Sequence, residues 1–98
     1  EMIFILIYFA YMIEIQGYNK VNYQKFQTEM DARFANCELS ELEMAVKLGL
    51  KSTATIKNAF RKDNQIVSDE VMSGIMECIE LRGFILWMCG ERHYYIKT

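Results

Sequence analysis

The sequence predicts a mainly α domain, a bundle of about four helices closed by a C-terminal β-hairpin. Three observations point there. Apolar residues recur at three- and four-residue steps from Tyr23 to Leu81. Serines that suit helix starts, Ser40 and Ser68, punctuate that pattern. The last fifteen residues then switch to strand formers around Gly90. The 98-residue chain is enough for one domain, and its 52% apolar and 24% charged residues are a globular balance rather than a disordered one. Aromatics, at 13%, are plentiful enough to build a core, and the absence of proline fits uninterrupted helices.

The elements follow in chain order. Met2 to Ile13 is an unbroken run of twelve apolar residues, shorter than the roughly twenty a spanning helix needs and without the basic residues that precede a secretory run. It reads equally as the end of a truncated membrane helix, as non-native upstream translation, or as a buried element. Residues 1–17 are therefore set apart from a domain over 18–98, whose globular pattern begins near Asn22. Tyr23, Phe26, Met30 and Phe34 form one apolar stripe on a helix over Tyr23 to Ala35. Ser40 and Glu43 form a capping-box signature for a second helix, which carries Leu42, Ala45, Val46 and Leu48 inward and stops at Gly49. After the connector Leu50 to Ser52, Ser52 or Thr53 caps a third helix with Ile56, Ala59 and Phe60 buried. A fourth starts at Ser68, has Asp69 and Glu70 in its first turn, and buries Val71, Met72, Ile75, Cys78 and Ile79. Gly83 breaks it. Phe84 to Met88 and His93 to Lys97 read as strands around a turn over Cys89 to Arg92.

The second and third helices, joined by a Gly-containing turn of about four residues, have the spacing of a helix-turn-helix, whose second helix can enter the major groove. Charge singles out the same segment. The chain is acidic overall, with a net charge of −2, yet no acidic residue lies between Glu43 and Asp63 while Lys47, Lys51, Lys57, Arg61 and Lys62 do. With Ile56, Ala59 and Phe60 turned to the core, Thr53, Thr55, Lys57, Asn58, Arg61 and Lys62 fall on the outside or its edge. That set suits duplex DNA: Arg and Lys pair with guanine edges, Asn with adenine, and Thr with phosphate or a thymine methyl. Lys47, Lys51 and Ser52 complete the candidate DNA-binding set. The bland alternative is a solvated basic helix face.

The stretch Leu42-Glu43-Met44-Ala45-Val46-Lys47-Leu48-Gly49-Leu50 resembles the first motif helix and turn of lambda-repressor/Cro-like regulators of the xenobiotic-response-element type. Ala45 matches the small residue that lets the two helices approach, and Gly49 the turn residue four positions on. Thr53 to Asn58 is similar to the family's recognition helix, with Ile56 at its buried aliphatic position. The resemblance covers roughly residues 40–81 and implies that Thr53, Ala54, Lys57, Asn58 and Arg61 face bases. The separation of Gly49 from Ile56 is one residue longer than the family's pattern, which calls for an extended turn or a rotated helix. The last helix and hairpin also resemble the helix and wing of winged-helix regulators. There the reader would be Ser68 to Leu81, whose Asp69, Glu70, Glu77 and Glu80 repel phosphate, so the earlier helix is preferred. Arg82, Arg92 and Lys97 become candidate backbone contacts.

The implied function is a sequence-specific DNA-binding transcriptional regulator, of phage or mobile-element type in a bacterial cytoplasm, acting as a homodimer on double-stranded DNA. The alternative is a non-enzymatic protein-interaction module that keeps the shape without reading DNA. No membrane partner is expected unless the N-terminal run is a truncated anchor. Catalysis lacks a motif: His93 reads as a half-buried strand residue, Glu77 and Glu80 as surface carboxylates, and no glycine-rich phosphate loop occurs. A zinc site would need Cys37, Cys78, Cys89 and His93 to converge without the usual short spacing, so no metal or other cofactor is expected and the thiols read as reduced and buried. Met72, Met76 and Met88 read as core filler. Trp87 and the hairpin tyrosines are the best candidates for an association surface, with core burial the stronger expectation.

Overall fold

Local chemistry sets most of the helix ends. In the computed structural model, which describes residues 17–61 and 67–97, the order is β1 (Tyr18–Val21), α1 (Tyr23–Ala35), α2 (Glu41–Lys47), α3 (Ala54–Arg61), α4 (Asp69–Cys78), β2 (Gly83–Met88) and β3 (Glu91–Lys97). The run Met2 to Ile13 lies outside the described residues. Asn22 caps α1, its side-chain oxygen accepting from the Lys25 N–H at 2.8 Å. Ser40 and Glu43 close the full capping box on α2, and the Ser68 hydroxyl accepts from the Val71 N–H.

Two helices end alike. Past α2, the Gly49 N–H bonds the Val46 carbonyl and the Leu50 N–H bonds the Ala45 carbonyl, a Schellman pair with Gly49 at φ +71°. Past α4 the same two bonds run from Glu80 to Glu77 and from Leu81 to Met76, but the left-handed position is held by Glu80, at φ 58°. The Arg33 guanidinium donates to the Glu80 carbonyl at 2.8 Å and fixes that turn to α1. The fourth helix thus stops at Cys78 rather than running to Gly83, which instead opens β2.

The chain is not simply a helical bundle with a hairpin. Among the described residues there are four helices and a three-stranded antiparallel sheet in the order β1-β3-β2, so β3 is central; α1 and α4 pack on the sheet, α2 and α3 pack on other helices, and the "mainly α" expectation holds only loosely. The added strand is β1, which pairs Tyr18 with Lys97 and Val21 with Tyr94. The hairpin is tighter than the expected Cys89–Arg92 turn. Met88 pairs with Glu91, leaving Cys89 (φ 54°) and Gly90 (φ 77°) as a two-residue loop of the type whose twist matches the strands.

β3 alternates between two packed environments. Tyr94 and Ile96 enter the helical core, where the Tyr94 ring lies 4.6 Å from that of Phe26 and 6.0 Å from that of Tyr23. Tyr95, from the opposite face of the sheet, stacks on Phe84 at 4.9 Å, and Tyr18 meets Phe84 edge-on. The core proper comprises Phe26, Met30, Met44, Ile56, Met72 and Ile75, all fully buried, with Ala45, Ala59 and Met76 beside them. One face is corrected. α2 buries Met44 and Ala45, whereas Leu42 and Val46, expected inside, are 66% and 71% exposed. In a seven-residue helix the buried arc is narrow, and Leu42 and Val46 stand nearly opposite Met44.

Two substitutions test this packing through urea midpoints. A Cβ at Gly83 would sit 2.5 Å from the Tyr95 backbone carbonyl, which cannot yield without breaking the sheet. Gly83→Ala is expected to destabilise by about 2 kcal/mol. Glu80→Gly should stabilise by about 0.5–1 kcal/mol, because relief of the left-handed side-chain clash exceeds the added chain entropy. A stabilised Gly83→Ala protein would contradict the β2–β3 register.

Candidate nucleic-acid interface

The interface is built on an eight-residue helix with two unlike faces. α3 buries Ile56 and Ala59 completely and Phe60 nearly so, as the three- and four-residue spacing predicts. Ala54 and Lys57 are exposed, and Thr53, Thr55 and Asn58 are half-buried. The Ser52 hydroxyl accepts from the Ala54 N–H at 3.3 Å and the Thr53 carbonyl from the Lys57 N–H at 3.0 Å, so both residues expected to start the helix take part in starting it.

The connection from α2 to α3 runs from Leu48 to Thr53, longer than the four-residue turn expected. Because Ile56 keeps full burial, the extra length is taken up in this connection and not by rotation of α3. Leu50 folds back against the core after the Gly49 turn, which leaves Lys51 and Ser52 exposed immediately before α3.

α1 holds α3 in place at its far end, through contacts that sequence periodicity did not reveal. Phe34 stacks on Phe60 with ring centroids 4.1 Å apart, and the Gln27 side-chain amide donates to the Phe60 carbonyl at 2.8 Å and to Asp31 at 3.0 Å. That amide gives the Phe60 carbonyl, in the last turn of α3, a partner from α1. Gln27 reads in sequence as a polar spacer of an amphipathic helix. Only the long-range packing gives it this task.

The structure therefore gathers Lys51, Ser52, Thr53, Thr55, Lys57 and Asn58 around α3. Lys51 and Lys57 are exposed, and neither is ion-paired among the described residues. The Arg61 backbone ends α3, while its side chain and all of Lys62 lie outside the described residues. Lys47 belongs to different surroundings. It lines an open groove with Cys37, Glu38 and Cys78, to which α3 contributes nothing. Burial pushes the Cys78 thiol above its ordinary range, and the nearby Lys47 ammonium partly opposes that rise.

The hairpin departs from its expected part. Arg92, a candidate phosphate contact, has a side chain only 9% exposed. Its guanidinium bonds Asp69 and the Val67 carbonyl, each at 2.6 Å, and lies over the Trp87 ring at 5.6 Å. The Trp87 indole N–H donates to the same Asp69 carboxylate. This arrangement ties the start of α4 to the hairpin and leaves Arg92 no freedom to reach a phosphate. Trp87 is nonetheless 54% exposed, unlike Tyr94 and Tyr95, which are buried. Lys97 lies over the Tyr18 ring, and Arg82 is exposed. His93 is a partly buried strand residue, as expected, with Glu91 4.0 Å away. The thiols are less buried than expected: Cys37 and Cys78 are half-buried and Cys89 is exposed. No protein family, curated protein or solved structure matches the chain.

The two faces of α3 should separate in thermal or urea unfolding. Ile56→Ala is expected to lose about 2–4 kcal/mol, and Gln27→Ala about 1 kcal/mol from the unpaired Phe60 carbonyl. Lys57→Glu should stay within about 0.5 kcal/mol of the parent. A large loss for Lys57→Glu would mean that this side chain is structural.

Proposed function

We propose that the chain is a sequence-specific DNA-binding transcriptional regulator of the lambda-repressor/Cro-like helix-turn-helix kind, acting in a bacterial cytoplasm and reading the major groove with α3. One observation carries this reading. The described part of the acid-free stretch between Glu43 and Asp63 folds into a connection and helix whose apolar face packs on the core, while Lys51 and Lys57 stay exposed and Thr53, Thr55 and Asn58 half-exposed. Ala45 and Gly49 support the motif from the other side: one is buried where the helices meet, the other turns the chain at positive φ. In this reading Lys51, Lys57 and Lys62 hold phosphates, and Asn58 and Arg61 address base edges. Lys47, on the Cys78 side, contributes to the field more than to contact. Two copies would read half-sites about one helical turn apart.

A second reading has its own observation. Leu42 and Val46 lie one turn apart on the outside of α2, where a monomer gains nothing from exposing them. In a protein-interaction module they would be the contact surface, and α3 a solvated face. If α3 reads DNA, the same pair is available for dimerisation.

Fluorescence anisotropy of the chain with random-sequence duplex DNA separates these readings. Affinity is expected to fall about fortyfold between about 50 and 200 mM salt, as roughly three phosphate contacts per chain require. Lys57→Glu with Arg61→Glu should abolish binding while the melting temperature stays near that of the parent. Binding that survives the double substitution, or no binding at low salt from folded protein, would overturn the DNA reading. After selection of a preferred duplex, Asn58→Ala should cost about 1–3 kcal/mol on that duplex and leave random-sequence binding nearly unchanged.

A further inference from the structure

Two of the three cysteines meet in space. Cys37, in the link after α1, and Cys78, the last residue of α4, are separated by 41 positions, yet the Cys37 thiol lies 3.8 Å from the Cys78 carbonyl oxygen. Both line the same solvent-open groove, so a small reagent can reach them. The third, Cys89, stands exposed in the two-residue loop of the hairpin.

We propose that Cys37 and Cys78 form a peroxide-oxidisable dithiol site, in which an intramolecular disulfide staples the α1–α2 link to the end of α4. The surroundings assign the order of events. The Leu39 N–H donates to the Cys37 sulfur at 3.4 Å and so fixes it at the groove, whereas burial pushes the Cys78 thiol up, with the Lys47 ammonium partly opposing. Cys37 thiolate attacks one peroxide oxygen; the O–O bond breaks, hydroxide leaves and Cys37 becomes a sulfenic acid. The Cys78 sulfur then attacks the sulfenic sulfur, the S–O bond breaks, and hydroxide departs as water with the Cys78 proton. The two thiols give up two electrons, and the peroxide is reduced to two waters. Both residues sit beside turns, Cys37 donating its N–H to the Phe34 carbonyl and Cys78 preceding the Ile79–Leu81 turn, and these turns are where the backbone would move for the sulfurs to join.

The test uses the full chain carrying Cys89→Ser, which removes the exposed competitor without touching the groove. After stoichiometric hydrogen peroxide, non-reducing peptide mapping is expected to give one cross-linked pair, Cys37 with Cys78. Free thiols should fall from two to none, and the melting temperature should rise by about 10 °C, reversibly with dithiothreitol. Intermolecular links, sulfinic acids on both residues without a cross-link, or no reaction would each overturn the proposal. With Cys78→Ser, a dimedone-trappable sulfenic acid is expected at Cys37. With Cys37→Ser, trapping at Cys78 should be at least tenfold lower, and the opposite ranking would overturn the assigned order.

Discussion

Phe26 and Phe34, two turns apart on α1, hold the two halves of the molecule together. Phe26 packs on Tyr94 of the central strand, and Phe34 stacks on Phe60 of α3. Between them, about 12 Å of helix sets how far α3 stands from the sheet. The connection from α2 reaches the core through Leu48 and Leu50, and a Cβ at its Gly49 turn would meet open space, so it does not by itself define where α3 points. α1 supplies that definition. Its Gln27 amide closes the last turn of α3, and its Arg33 guanidinium closes the turn after α4. A single amphipathic helix thereby positions the sheet, the candidate reading helix and the end of α4 at once.

The helix ends were legible in sequence because their chemistry is local. Ser40 with Glu43, Gly49 and Ser68 each act on backbone groups within four residues, and α2 and α4 start where Ser40 and Ser68 place them, whereas the Asn22 cap and the Glu80 turn that ends α4 were not read. What depended on distant partners was not legible. β1 is four residues long with no useful alternation, and it becomes a strand only because β3 offers it an edge. Leu42 and Val46 share a helical step with Ala45 and Leu48 in sequence, and only the packing of α2 against its neighbours decides which side is inside. There Gly74 matters: any Cβ would fall 2.7 Å from the Leu48 side chain, so glycine lets the end of α2 lie close against α4. Arg92 looked like a free cation until Asp69, 23 positions earlier, was seen to hold it. The candidate DNA set was read from charge and spacing, and the structure gathers most of it around α3 while leading Lys47 to the groove of Cys37 and Cys78.

Charge is distributed so that orientation would precede contact. An acidic chain is repelled by a polyanion in most attitudes, and the stretch between Glu43 and Asp63 is the exception. α4 would be a poor alternative reader for the same reason. Its exposed side carries Glu70 and Glu77, and its first turn is tied to the hairpin through Asp69, Arg92 and Trp87. The hairpin is better understood as a brace for α4 than as a wing.

Helical geometry ranks the positions of α3 further than exposure alone. Successive residues turn by about 100°, so the direction midway among Ile56, Ala59 and Phe60 marks the core. The positions closest to the opposite direction are 54, 58 and 61, with 55 and 57 flanking them. Ala54 has no side chain long enough to obstruct close approach, which in the proposed reading would let Asn58 come nearest to base edges. Thr55 and Lys57 then stand where the two walls of a groove would be. Because none of these positions belongs to the core face, base preference could change by substitution there with little effect on stability. The three residues that face inward fix the helix, and in the proposed reading the outward line would be free to specify the sequence.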